Sequence, residues 1–166
     1  MNISVIGAGI VGLSIAHELA SRGASVRIVD ARGVGQGATW ASAGVLAPHI
    51  EGHSELLLGL GVPSLNEYDS FIERVTIDAD QAIEYERSGT LQVAFNAEES
   101  QRLSAAAARL GQARVRHELL DAHAARRLEP ALGDVVSALH VPENSAVVVV
   151  NIVIAVTVQS SRALLR

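Results

Sequence analysis

Three glycines near the start of the chain, Gly7, Gly9 and Gly12 in V-I-G-A-G-I-V-G, are followed 18 residues after Gly12 by Asp30. Spaced as G-x-G-x-x-G between an apolar run and a helical pattern, the glycines suit a specific chemistry. The first permits a tight turn, the second lets backbone approach a pyrophosphate, and the third lets a helix cross close to a strand. The pyrophosphate would sit on the first amides of the helix, where the dipole favours negative charge. Asp30 would accept hydrogen bonds from the ribose hydroxyls of an adenosine half, and its charge disfavours a 2′-phosphate, which makes NADP the poorest candidate. A glycine-rich turn serving packing alone is the competing reading. It is outweighed because strand, helix, second strand and acid all fall where dinucleotide binding needs them.

These residues need elements to position them. Ile3 to Ile6 is a short β-branched run bounded by Gly7 and predicts a buried parallel strand. Ile10 to Arg22 has helical spacing, with Leu13, Ala16 and Ala20 on one face and Gly23 suited to end it. Ser25 to Val29 is the second strand, closing a βαβ unit of about 30 residues. Further on, 54–88 predicts a helix broken at Gly59, Gly61 and Pro63, with Glu73, Asp78, Asp80, Glu84 and Glu86 on a solvated face. Gly89 to Phe95 alternates as a strand, Asn96 is placed to cap the helix that follows, and 136–142 reads as another strand. No internal repeat or low-complexity linker is present.

The 166 residues have the size of one domain, able to bury about 70% of the unfolded surface. Apolar residues make up 49% and aromatics 3%, so Ala, Val, Leu and Ile must fill the core, as in α/β layers. A net charge of −5 with scattered arginines argues against nucleic acid or anionic lipid as a partner. The absence of cysteine excludes disulfides, thiolate metal sites and a cysteine nucleophile, and it is compatible with a reducing compartment. The N-terminus has no basic residue before its apolar run and lacks the layout of a signal peptide, so a cytoplasmic location is expected. The longest apolar run, Ser145 to Val158, has 14 residues, short of the ~20 a spanning helix needs, and no membrane insertion is expected.

The βαβ unit alone does not separate NAD from FAD, since both contain ADP. The nearly uncharged, small-residue stretch that follows, G-A-T-W-A-S-A-G-V-L-A-P-H from Gly37 to His49, does. With V-I-G-A-G-I-V-G-L-S-I-A-H-E-L-A-S-R-G-A-S-V-R-I-V-D-A-R it resembles the D-amino acid oxidase family of FAD-dependent oxidoreductases, and A-S-A-G-V-L-A-P-H-I-E is most similar to the glycine oxidase branch, which serves thiamine biosynthesis. The resemblance implies an α/β Rossmann-like FAD/NAD(P)-binding fold, incomplete, with the beginning of an α+β substrate domain. Its cofactor would be FAD. Carried over by position, ADP contacts fall at Ile10, Val11, Asp30 and Ala31, beside Gly7, Gly9 and Gly12, and flavin-side contacts at Ala38, Thr39, Ala43, Gly44 and Val45. Most are backbone contacts, and small residues let the backbone approach the cofactor. The implied activity is hydride transfer from the α-carbon of a small amino acid such as glycine to the flavin, with electrons passed to oxygen and the imine hydrolysed to an oxo acid. A D-amino acid dehydrogenase that feeds a membrane quinone is the nearest alternative within the family. The partner would be a small-molecule amino acid, and a homo-oligomer stays open.

Several residues have competing readings. Arg32 suits the surface slightly better than the adenine edge, and Trp40 suits a core aromatic at least as well as a flavin contact. His49, Glu51 and His53 raise a metal site only weakly, because no third ligand is evident, and His17, His117, His123 and His140 are isolated structural histidines. The resemblance is specific through residue 51 and diffuse to Glu143, dividing the chain into 1–88 of a FAD-binding domain, 89–143 of a substrate domain and an atypical tail, 144–166. In the family the Tyr and Arg side chains that hold the substrate carboxylate lie in later segments. No catalytic residue is assigned here, and the isolated chain is expected not to turn over glycine or a D-amino acid. The tail carries no charge from Asn144 to Ser161 and is rich in β-branched residues, as a frameshift or truncation near Asn144 would produce. The reading from a different class is a non-catalytic nucleotide-binding remnant.

Overall fold

The computed structural model describes residues 1–50 and 55–147. Two short strands, β1 (Asn2–Ile6) and β2 (Ser25–Val29), pair in parallel with Asn2 opposite Ser25 and Ile6 opposite Val29. Between them α1 (Ile10–Ser21) packs on both strands. Its inward positions are Leu13, Ala16 and His17, whereas Ala20, in the last turn before the cap at Arg22, is exposed. The histidine therefore takes an inward position expected to be alanine's. Its Nε2 lies 2.9 Å from Asp78 Oδ2, and its ring meets Phe71 edge-on at 6.1 Å. The strands are not buried as expected. Among the described residues α1 covers one face of the pair, so exposed and half-buried positions alternate along β1 and β2, and Ile6 is 89% exposed.

Next come β3 (Val45–Leu46), α2 (Glu55–Ala79) and β4 (Tyr85–Glu86). The expected breaks at Gly59, Gly61 and Pro63 do not occur, and α2 ends at Ala79 rather than near Ser88. Two glycines at ~1 kcal/mol each and one proline at ~3 kcal/mol weaken a helix. Burial of Leu65, Ile72, Val75 and Ala79 at helical spacing opposes that loss. The five acidic residues of 73–86 are exposed as expected, although Asp78 also serves His17.

The remaining elements are β5 (Thr90–Ala94), α3 (Ala97–Gln112), β6 (Glu118–Asp121), α4 (Ala122–Leu128), β7 (Ser137–Val141) and β8 (Ser145–Val147). β5, β7 and β6 form an antiparallel sheet in that order, with Gln92 opposite Leu139 and Leu120 opposite Ala138. The short strands β3, β8 and β4 pair in that order. One face of the antiparallel sheet carries Leu139 and Val141 against Ala107 and Leu110 of α3, and the other carries Ala138 with Leu120, Ala125 and Val135. Asn96 caps α3 as its position predicts, accepting from the Glu99 N–H at 3.0 Å. By contrast β6 has no sequence signature: its burial pattern leaves only Leu120 inside, and Glu118 and Asp121 are polar ends of an edge strand.

The chain divides into two compact units. One contains Met1–Val45, Asn66–Tyr85 and, among the described residues, Val147; the other contains Leu46–Leu65 and Glu86–Ala146. The rest of the apolar tail lies outside the described residues.

Two helices end on a non-glycine residue in the left-handed region, Asp80 after α2 (φ 54°) and Arg114 after α3 (φ 57°). At the second, the Val115 N–H reaches Leu110 O at 3.0 Å and the Arg114 N–H reaches Gly111 O at 3.1 Å, closing the helix in the way glycine favours. Arg114→Gly removes the Cβ penalty at some cost in unfolded-chain entropy. It is expected to raise stability by about 0.5–1 kcal/mol in urea denaturation, and a lowered midpoint would show that the arginine side chain matters more than its backbone.

Candidate nucleotide-binding site

Each glycine of the N-terminal turn has its own physical reason to lack a side chain. Gly7 has φ +108° and open space where a Cβ would lie, so its role is conformational, and its N–H continues the β1–β2 ladder to Val29 O at 2.8 Å. Gly12 has the opposite problem. A Cβ there would lie 2.0 Å from Gly7 O, because α1 crosses that carbonyl. Gly9 is the N-cap of α1, and a Cβ on it would meet the Thr39 hydroxyl at 2.9 Å.

Thr39 Oγ1 accepts the Ile10 N–H at 3.0 Å, across 29 residues of sequence. Gly9 supplies no side-chain cap and the first turn of α1 has no acidic residue, so beside the Ile10 N–H held by Thr39 the Val11 and Gly12 N–H groups are left for an anion. These residues fit a pyrophosphate. Val11 is 70% exposed beside them, while Ala8 is buried and held by its own bonds.

Asp30 holds the glycine turn in place. Its Oδ2 accepts the Ala8 N–H at 2.7 Å and its Oδ1 accepts the Arg32 N–H at 2.7 Å, tying the glycine turn to the end of β2. Each carboxylate oxygen keeps acceptor capacity, enough for two ribose hydroxyls. The backbone hydrogen bond from Ala8, then that from Arg32, holds the Asp30 carboxyl below its ordinary value of 3.8. A carboxylate favoured in the folded chain contributes stability above 3.8 and loses it as the pH falls from there through the folded value. Denaturation midpoints followed across the acid range should therefore drop more steeply for the native chain than for Asp30→Asn. Parallel curves would remove the carboxylate from this role.

The stretch after β2 is held by backbone geometry. Gly35 (φ +74°) donates to Ala8 O at 2.8 Å, and Gly37 (φ +92°) has the Arg32 guanidinium 2.9 Å from where its Cβ would be. Gly44 is buried with φ +72°; its N–H reaches Ser42 Oγ at 3.1 Å and its carbonyl accepts from the Val147 N–H at 3.0 Å. Gly44 thus has a local conformational reason to be glycine, independent of any cofactor. Ala31, Ala38, Ala43 and Val45 are exposed, and Thr39 and Gly44 are the buried anchors between them. Trp40 is 65% exposed, which corrects its reading as a core aromatic: its neighbour Thr39 takes the inward position. Arg32 is on the surface. His49 is nearly enclosed, with Nε2 3.8 Å from Glu143 Oε2, and His53 and Glu51 lie outside the described residues. Among the described residues no group of three metal-ligating side chains is present.

A βαβ turn with an open helix N-terminus and a carboxylate at the end of its second strand defines a nucleotide-binding Rossmann unit. The model of the DAO family, described as FAD dependent oxidoreductase, matches residues 2–157, and the chain belongs to that family, whose cofactor is FAD. The structure resembles glycine oxidase from Geobacillus kaustophilus with a TM-score of 0.90 at 24% identity, over 97% of this chain and 44% of that one. It resembles iminodiacetate oxidase from Chelativorans sp. with a TM-score of 0.79 at 28% identity, over 97% and 44%. A curated relative, the tRNA 5-methylaminomethyl-2-thiouridine biosynthesis bifunctional protein of Maricaulis maris, is 47% identical over 49 residues, 30% of this chain and 8% of that protein. The chain thus spans less than half the length of these structures. Among the described residues no helix is long and apolar enough to cross a membrane.

Proposed function

We propose that this chain holds the FAD of an amino acid oxidoreductase that acts on small amines bearing an N–CH2–COO⁻ group. The observation that carries the reading is the open N-terminus of α1 beside Gly9, with Asp30 tied to the same turn through Ala8. The α1 amides would take the pyrophosphate, Asp30 the ribose, and the backbone of 38–45 the flavin half. The likeness to glycine oxidase and iminodiacetate oxidase supports the substrate class, since glycine and iminodiacetate share that N–CH2–COO⁻ unit. When bound, FAD supplies the acceptor for a hydride from the carbon between nitrogen and carboxylate. The substrate loses that hydride and a proton from nitrogen, and water hydrolyses the resulting imine to an oxo acid with release of ammonia or the remaining amine. A cytoplasmic enzyme serving thiamine biosynthesis is the form of this reading closest to the glycine oxidase branch.

Nucleotide binding is tested by titrating FAD and ADP into the chain and following flavin fluorescence and heat. Gly9→Ala should lose affinity for both ligands, but its Cβ would also press on Thr39 Oγ1 at 2.9 Å. The double variant Gly9→Ala with Thr39→Ala removes that internal contact. If it still binds neither ligand, the Cβ obstructs the pyrophosphate; recovery of native affinity would sink the assignment. The substrate class is tested by anaerobic bleaching of the holoprotein's flavin. The 166 residues alone should not be bleached by glycine, sarcosine or iminodiacetate, whereas the same unit joined to segments that hold the substrate carboxylate should be; bleaching by L-proline or a 2-hydroxy acid instead would overturn the class.

A further inference from the structure

The second unit contains a cavity of about 250 Å³ where α3, the strands β5 and β7, the segment Pro48–Ile50 and Leu58 of α2 meet. Its wall is apolar at Ile50, Leu110 and Leu139 and polar at three side chains, His49, Gln92 and Arg109. Gln92 stands opposite Leu139 in the β5–β7 register, so an amide occupies the α3 side of the sheet where Leu139 and Val141 build core. Among the described residues the side chains of Gln92 and Arg109 make no hydrogen bond or ion pair, and His49 has only Glu143 at 3.8 Å, beyond hydrogen-bond reach. Arg109 lies in the last turn of α3, where a cation suits the helix dipole. That accounts for a cation there, but not for an amide and an imidazole without a hydrogen bond lining the same space.

The volume lies below the ~300–1,000 Å³ of drug-sized sites, so a ligand of a few heavy atoms fits. Arg109 offers paired N–H donors of the geometry that carboxylates accept, and Gln92 and His49 add further N–H donors. Among the described lining residues Arg109 carries the fixed charge and none is a carboxylate, which favours an anion over an ammonium group. We propose that this cavity binds a small aliphatic monocarboxylate without an amino group, its charge on Arg109 and its alkyl part on Leu110, Leu139 and Ile50. This goes beyond the flavin reading and does not rest on it.

The test uses the whole chain with isobutyrate as probe, followed by NMR of the Gln92 side-chain amide and the His49 ring. Saturable shifts at both residues are expected. Alanine has the same shape with ammonium in place of a methyl group, and isobutyramide lacks the charge; each should bind about tenfold more weakly or worse. Arg109→Gln keeps helix propensity at an exposed position and should reduce isobutyrate affinity about tenfold or more, with Arg109→Lys in between. Shifts that never saturate, equal affinity for alanine, or full affinity in Arg109→Gln would each overturn the proposal.

Discussion

Gly12→Ala is expected to abolish binding of FAD and of ADP and to lower stability by about 3 kcal/mol or more. The added Cβ would lie 2.0 Å from Gly7 O and 3.1 Å from Gly7 C, and neither atom belongs to a flexible side chain. Relief requires α1 to move off β1 by more than an ångström. That movement carries the α1 amides away from the place a pyrophosphate would take and breaks the close crossing that the third glycine allows. Two measurements check this: the urea midpoint, and FAD titration at a temperature where the variant remains folded. Excess FAD should not restore the variant, because the site itself is deformed. Native affinity in a folded Gly12→Ala chain would show that α1 does not carry the pyrophosphate.

Leu13→Ala is the contrasting case, with an expected loss of about 2–5 kcal/mol. Leu13 is 1% exposed, and α1 packs on β1 and β2, so the truncation leaves a cavity under the helix while the turn from Gly7 to Gly12 keeps its geometry. The variant should therefore bind FAD with near-native affinity once folded, and saturating FAD should raise its melting temperature by mass action. Rescue of Leu13→Ala but not of Gly12→Ala separates packing of the helix from the shape of its N-terminus. Absence of rescue in both would mean that FAD does not bind this unit.

Local interactions explain which parts of the molecule were legible without coordinates. The βαβ unit, the strand at 90–94, the Asn96 cap and the strand at 137–141 rest on alternation, helical spacing or a bond between residues three apart. Neighbouring residue types carry those signals. The continuity of α2 was not legible, because two glycines and Pro63 argue against it locally and burial at distant points decides otherwise. Nor was β6, whose pairing to β7 rather than its own pattern makes it a strand.

By itself the sequence determined that the chain carries a glycine turn between strand and helix, an acid at the end of the next strand, and a small-residue stretch after it, because each is a matter of residue type and spacing. Only the tertiary structure decided how those parts bear on one another. Thr39 reaches the Ile10 N–H across 29 residues, Asp30 reaches the Ala8 N–H across 22, and His17 meets Asp78 across 61. Hydrogen bonds between residues so far apart leave no periodicity in the chain. They exist only where folding has already brought a donor and an acceptor within about 3 Å in the right direction.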